Sequence, residues 1–194
     1  MDLDDPVALA LAIAEALRAE GLPHALYGGL LLAAYGEARE TRDVDIAMAH
    51  ADAASVVGML RARLGLRTIP AFDRRVFSGL LVSRITLVEG DDLNTLDIVE
   101  PRDAAYATRA LGRALESSLR GRPIRVLTAE DFVLFKLLST RERDLADAES
   151  VVRSLGLDLE RELIEDEVGR LADASLPEQN VTARWRRVLE GAAV

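Results

Sequence analysis

The apolar positions of this chain change their spacing as the sequence proceeds, and the changes predict its elements. Val7, Leu9, Leu11, Ile13 and Leu17 follow Pro6 and a capping Asp4 or Asp5, which predicts a helix that Gly21 ends. His24–Tyr27 reads as a short strand, Gly28-Gly29 as a turn into an apolar helix over residues 30–35, and Gly36 as its stop. Residues 44–49 alternate and predict a strand, and residues 52–64 predict an amphipathic helix closed by Gly65. Strand-like runs follow at residues 67–69, 74–77, 80–88 and 95–99, with Gly90-Asp91-Asp92 turning between the last two. Residues 102–111 suit a helix, and residues 115–119 with 124–127 suit a small hairpin around Gly121. From Thr128 onward the period is helical. Thr128 and Asp131 make a capping-box-like start, and helices are predicted at residues 129–139, 142–155 and 158–172, with a short one around Trp185. Strands in the first two thirds and helices in the last third define an α+β layout, a mixed β-sheet backed by helices with a helical C-terminal part. The expected division is an α/β core over residues 1–127 and a helical region packed on it over residues 128–194.

Composition narrows this picture. At 194 residues with 49% hydrophobic content, the chain can bury a core without a covalent staple. It has no cysteine, which excludes a disulfide framework and a thiolate metal site. The apolar run after Pro6 is preceded by Asp2, Asp4 and Asp5, the opposite of the basic start of a signal peptide. No apolar stretch reaches the roughly 18 residues of a membrane span, so the expectation is a cytoplasmic protein with no membrane partner. A net charge of −9 argues against broad, non-specific binding to nucleic acid. Arg109, Arg113, Arg120, Arg122 and Arg125, however, have only Glu116 among them. They read either as a solvated face or as a patch for a polyanion. Of the 24 basic residues, 23 are arginine; the single lysine, Lys136, is a choice of point charge over fork. His24 and His50 read as structural or surface residues, and Trp185 as an anchor for the tail.

The candidate chemistry lies in carboxylates. Asp43 and Asp45 are two apart on a predicted strand, so both fall on one face with Val44 and Ile46 on the other. Two carboxylates so close raise each other's pKa unless a cation lies between them, and Mg²⁺ suits oxygen donors of this kind. Asp97 is an acid inside the apolar run 95–99, where an unpaired carboxylate is costly, and is the candidate third ligand. Gly28-Gly29, between a strand and a helix, offers free N–H groups and room for a phosphate to approach.

Together these segments resemble the DNA polymerase β-like nucleotidyltransferase superfamily. Its pattern is a hydrophobic residue, Gly, then Gly or Ser, a helix, and an Asp-x-Asp or Asp-x-Glu between apolar residues. Here it reads Tyr27-Gly28-Gly29, 13 intervening residues, and Asp43-Val44-Asp45-Ile46. The stretch from Gly36 to Asp45, with Arg39 and Thr41, looks most like the small bacterial branch that includes AbiEii-type toxins. So does the later stretch in which the helix of Lys136 is followed by Arg143-Asp144-Leu145-Ala146-Asp147. The resemblance covers about residues 20–155, and the chain departs from the Ser variant at Gly29, which removes a hydroxyl contact to phosphate. It implies that Asp43, Asp45 and Asp97 bind two Mg²⁺ ions, with Mn²⁺ as an alternative, and that Asp97 activates the attacking hydroxyl. Gly28 and Gly29 would hold the β- and γ-phosphates of a nucleoside triphosphate such as ATP. Lys136 would contact phosphate, the alternative being a lysine snorkelling at a helix edge. Asp144 and Asp147 share a helix face and would position Lys136, Arg141 or the nucleotide, or belong to a surface ion-pair network. Arg39 and Thr41 would orient the loop entering the Asp43 strand, and Arg39 is a further candidate for the triphosphate.

The implied reaction moves a nucleoside monophosphate to a hydroxyl on RNA such as tRNA, on a protein or on a small molecule. The resemblance also admits a toxin with a cognate antitoxin. A non-catalytic nucleotide- or partner-binding protein on the same fold is the alternative. A third reading is an unrelated α+β protein whose acids do not converge.

Overall fold

The computed structural model describes residues 1–50, 53–174 and 180–192. In chain order these form α1 (Pro6–Ala19), β1 (His24–Tyr27), α2 (Gly28–Tyr35), β2 (Val44–Met48), α3 (Ala53–Leu64), β3 (Arg67–Phe77), β4 (Leu80–Glu89) and β5 (Asp92–Pro101). They continue with α4 (Ala104–Arg113), β6 (Leu115–Leu119), β7 (Arg122–Val126), α5 (Ala129–Leu138), α6 (Glu142–Leu155), a 3-10 turn (Gly156–Asp158), α7 (Arg161–Ala174) and α8 (Val181–Ala192). The strands make one mixed sheet in the order β3-β4-β5-β2-β1-β7-β6. The expected α+β architecture is therefore the observed one.

Local chemistry explains most boundaries. Asp5 accepts from the N–H groups of Val7 and Ala8 with Pro6 in the first turn, which starts α1. Asp103 accepts from the N–H of Tyr106 and starts α4 two residues beyond the expected point. Thr128 Oγ1 accepts from the N–H of Asp131 at the head of α5. Gly28 and Gly29 are the first turn of α2 rather than a turn ahead of it. The runs at residues 67–69 and 74–77 belong to a single strand, β3, whose pairing with β4 shifts register around Phe72. Asp52, the expected start of α3, lies outside the described residues.

On the sheet face of Val44, Ile46, Leu96, Ile98, Ile85 and Leu87, all buried, α1 and α3 pack against the strands. On the opposite face α5 closes over β1: the rings of Phe132 and Phe135 stand 5.4 and 5.1 Å from that of Tyr27. α5 in turn is flanked by α6, α7 and α8. One apolar cluster runs from Leu3 through the sheet to Trp185, Val188 and Ala192, so the C-terminal helices share the core of the sheet. Trp185 is buried in it, as an anchor for the tail requires. His24 is buried at the head of β1, its Nδ1 2.8 Å from the Leu22 carbonyl, and burial lowers its pKa so that the ring stays neutral. Among the described residues, no helix is long and apolar enough to cross a membrane.

The arginines of α4 and the β6–β7 hairpin are structural. Arg109 and Arg113 both reach the buried Glu167 of α7, and Arg113 also binds the buried Asp131 of α5 through two nitrogens. Arg120 pairs with Asp5 and Arg122 with Glu15, tying the hairpin to α1. Arg125 donates to the carbonyls of Leu111 and Ala114 and faces Glu116. The cluster that sequence offered as a possible polyanion patch thus turns its charge to acids and carbonyls of its own chain.

This arrangement predicts the effect of Arg113→Ala. Asp131 and Glu167 would be left buried with fewer partners, at a cost of roughly 3 kcal/mol in unfolding free energy. Urea melts at pH 7 measure this, and a loss below about 1 kcal/mol would match a surface pair instead.

Candidate active site

Strand register lines the candidate residues up in one row. Tyr27 of β1 faces Asp45 of β2, Asp45 faces Asp97 of β5, Asp97 faces Arg84 of β4, and Arg84 faces Phe72 of β3. Facing residues point to the same side of a sheet, so all five look into one cleft. A cavity of about 400 Å³ lies there, with Gly28, Arg39, Thr41, Asp43, Lys136 and Arg141 also in its wall. The structure therefore brings together Gly28, Asp45 and Asp97, with Asp43 exposed at the rim one residue ahead of β2.

The glycines are there for space. Gly28 has φ +69°, and a Cβ on it would come within 1.9 Å of Asp45 Oδ2. Any other residue at position 28 would collide with the carboxylate itself. A Cβ on Gly29 would come within 2.7 Å of the Thr41 side chain. Thr41 Oγ1 lies 3.5 Å from the Asp43 carbonyl, so the loop into β2 packs directly on the helix start. The first-turn N–H groups of α2 have no partners within the helix, and they sit beside the Asp45 carboxylate.

Asp45 carries the cost of this crowding. Burial and the charges of Asp97 and Asp43 push its carboxyl up from 3.8 to about 6, against the pull of Lys136. Asp97 is buried at 7% exposure, and both its oxygens accept from Arg84, at 2.8 and 2.7 Å. The hydrogen bonds that Arg84 donates to Asp97 raise its own pKa and fix its charge. Three carboxylates of which one is destabilised by its neighbours suit a hard divalent cation in chemistry. In arrangement, the guanidinium of Arg84 already neutralises Asp97. Among the described residues, no group of three His, Cys, Asp or Glu side chains is gathered into a ready metal cage.

Lys136 does not snorkel. It is 2% exposed, its Nζ is 2.7 Å from Asp144 and 2.8 Å from Asp147, and it lies over the rings of Tyr27 and Phe132. Burial raises the Asp144 pKa, but Lys136, Ser139 and Arg141 more than offset this and hold it below its ordinary value. Arg39 reaches Asp147 at 3.4 Å through two nitrogens. Asp144 and Asp147 therefore hold Lys136 in a buried triad, with Arg39 half-buried and Arg141 at the surface completing the network. Lys136 borders the cavity with its donors engaged by these two carboxylates.

Sequence reasoning passed over Arg84, Phe72 and Phe77, all of which line the cavity. Arg84 was legible as the one charge inside the apolar run 80–88, facing the cleft by alternation from Val82. The two phenylalanines were not, because they are five apart and a regular strand would send them to opposite faces.

No protein-family model matches the chain. No curated protein matches it in sequence. Solved structures do resemble it. An antigenic nucleotidyltransferase-like protein from Paracoccidioides brasiliensis superposes with a TM-score of 0.51 at 17% identity, over 77% of this chain and 76% of that one. ANT(2″)-Ia in complex with adenylyl-2″-tobramycin gives 0.51 at 20% identity, over 85% and 98%. JHP933 from Helicobacter pylori gives 0.50 at 16% identity, over 92% and 76%. At these identities the likeness is one of fold, and the fold is the nucleotidyltransferase-like one that the sequence motifs implied.

The raised Asp45 pKa has a stability consequence. The ionised form is disfavoured in the folded protein, so the penalty is absent below about 3.8, grows as pH rises, and is complete above about 6. In metal-free buffer, Asp45→Asn should gain nothing over the wild type near pH 3.5 and roughly 3 kcal/mol at pH 8. Urea melts across that range decide it; a difference that does not grow with pH would refute the assigned cause.

Proposed function

We propose that this cleft transfers a nucleoside monophosphate from a nucleoside triphosphate to a hydroxyl acceptor, releasing pyrophosphate, with Mg²⁺ or Mn²⁺ held by Asp43, Asp45 and Asp97. The observation that carries the reading is the direct facing of Asp45 and Asp97 across β2 and β5, beside a left-handed glycine that starts a helix. Bound there, two such cations would neutralise the triphosphate and ease loss of the acceptor proton. The N–H groups of Gly28 and Gly29 would take the β- and γ-phosphates at the positive end of α2. Arg143 has no ion pair among the described residues and lines the same cavity, so it is free to reach phosphate, with Arg141 beside it. Lys136 would act through its charge while Asp144 and Asp147 hold it. Asp97 would accept the proton of the attacking hydroxyl once Arg84 has turned aside. In-line displacement places acceptor and leaving group on opposite sides of the reacting phosphorus. A second cavity of about 660 Å³ meets the first at Thr41 and Asp43 and gives the acceptor its own approach.

Candidate acceptors are the hydroxyls of an RNA such as tRNA, of a protein or of a small molecule. The internal pairing of Arg109 through Arg125 withdraws the feature that favoured a polyanion, and Asp4 and Glu40 line the second cavity. The motif resemblance supports membership of a toxin–antitoxin pair, with an antitoxin as partner. The supply of nucleotide and Mg²⁺ in the cytoplasm makes it the proposed location. One observation favours the second reading, a nucleotide-binding protein without turnover: Arg84 holds both oxygens of Asp97.

The test is incubation with each labelled triphosphate, Mg²⁺ and a mixture of cellular RNA and protein. Wild type should transfer label and release pyrophosphate. EDTA should abolish both, and Asp43→Ala, Asp45→Ala and Asp97→Asn should each lower the rate by at least about 100-fold. Metal-dependent nucleotide binding without transfer would establish the binding protein instead, and equal labelling by wild type and variants would remove the carboxylate site.

A further inference from the structure

We propose that Phe72 and Phe77 form the platform on which the base of the nucleotide stacks; this rests on the triphosphate reading of the cleft and names a subsite for its other end. The row of facing residues that begins at Tyr27 ends at Phe72. Four strand spacings of about 4.8 Å separate the two ends, ~19 Å in all, comparable with the length of an extended nucleoside triphosphate. One end offers glycine N–H groups and cations, the middle offers carboxylates, and the far end offers two aromatic faces.

The aromatic end is built, and its construction runs through a backbone irregularity. Phe72 faces Arg84, Arg75 faces Val82 and Phe77 faces Leu80. Three residues of β3 therefore span two of β4, which is a one-residue bulge. Phe72 and Phe77 are an odd number of positions apart, and the extra residue is what returns both to the cleft face. The ring centroids then stand 5.9 Å apart. Arg74 lies in the bulge with φ +43°, an uncommon conformation for a residue with a Cβ. Buried groups behind the sheet hold it there. The N–H of Arg74 donates to Ser83 Oγ at 2.9 Å, Ser83 Oγ donates to Asp73 Oδ1 at 2.7 Å, and Arg74 binds the buried Glu100. Asp73 Oδ1 also accepts from the N–H of Ala53 at the head of α3.

The platform is braced and left open. The Arg75 guanidinium lies 5.8 and 5.5 Å from the centroids of Phe72 and Phe77, and that of Arg84 lies 5.8 Å from the centroid of Phe72, so cations of the sheet hold the rings in place. Phe77 is 39% exposed, so its ring is accessible to a ligand. Stacking on aromatic faces accepts any base, so the subsite predicts little preference among the four nucleotides.

Calorimetric titration of the full chain with ATP, GTP and inorganic tripolyphosphate, each with Mg²⁺, tests this. Phe77→Ala and Phe72→Leu should weaken ATP and GTP by roughly tenfold each and leave tripolyphosphate within twofold, because only the nucleotides carry a base. Phe77→Trp should restore nucleotide affinity. Since Phe77 is part-exposed, its variants are expected to melt within a few degrees of wild type. Equal weakening of tripolyphosphate, or unchanged nucleotide affinity with a loss of transfer alone, would overturn the proposal; the latter would assign the rings to the acceptor. Failure of wild type to bind ATP or tripolyphosphate at all would overturn the triphosphate reading itself, a result distinct from the variants binding as wild type does.

Discussion

The structure is organised around the repulsion between two carboxylates on adjacent strands. Asp45 and Asp97 are held opposite each other by the β2–β5 pairing, and burial weakens the solvent screening between them. Positive charge must come from somewhere. On one side Arg84 donates to both oxygens of Asp97, and on the other Lys136 lowers the pKa of Asp45 from within the α5–α6 network. The cleft is thus a carboxylate pair between two protein cations, with a further pair, Arg141 and Arg143, at the cavity wall.

Two backbone irregularities make this possible. The left-handed turn at Gly28 leaves out a Cβ where the Asp45 carboxylate lies, so the helix start and the acid share one volume. The bulge at Arg74 turns Phe72 and Phe77 to the same side as Arg84. Both are places where the backbone takes a conformation that side chains resist; Gly28 lines the cavity itself, and the bulge acts on it through Phe72 and Phe77. The buried Ser83 and Glu100 pin the bulge, and Asp73, bonded to Ser83, also accepts from the N–H of Ala53 at the head of α3. The rim of the cleft and the back of the sheet are therefore mechanically one piece.

Charge elsewhere serves the fold. Arg109 and Arg113 bind α4 to α5 and α7, and Arg120 and Arg122 bind the last hairpin to α1. Arg184 donates to the carbonyls of Leu137 and Lys136 at the end of α5, joining α8 to the helix that carries the buried lysine. A fork-shaped guanidinium reaches two acceptors at once, which suits a residue that joins separate elements. The single lysine stands where a compact cation fits between two aspartates and over two rings.

The sequence by itself determined the α+β layout, most helix starts and the Gly28-Gly29 and Asp43-Val44-Asp45 motifs, because caps, glycines and period-two alternation are local signals. It also determined that Asp97 is an acid in an apolar strand. Tertiary structure decided the rest. Only the strand order shows that β5 pairs with β2 and sets Asp97 opposite Asp45. Only the packed helices show that Lys136 is buried and paired rather than at a helix edge, and that the arginine cluster pairs with acids and carbonyls of its own chain. The bulge in β3 was hidden because a one-residue shift in register depends on the partner strand, and with it went the aromatic end of the cleft. Local periodicity specifies which face a residue takes within its own element; which residue of a distant element it meets is fixed only when the sheet is assembled.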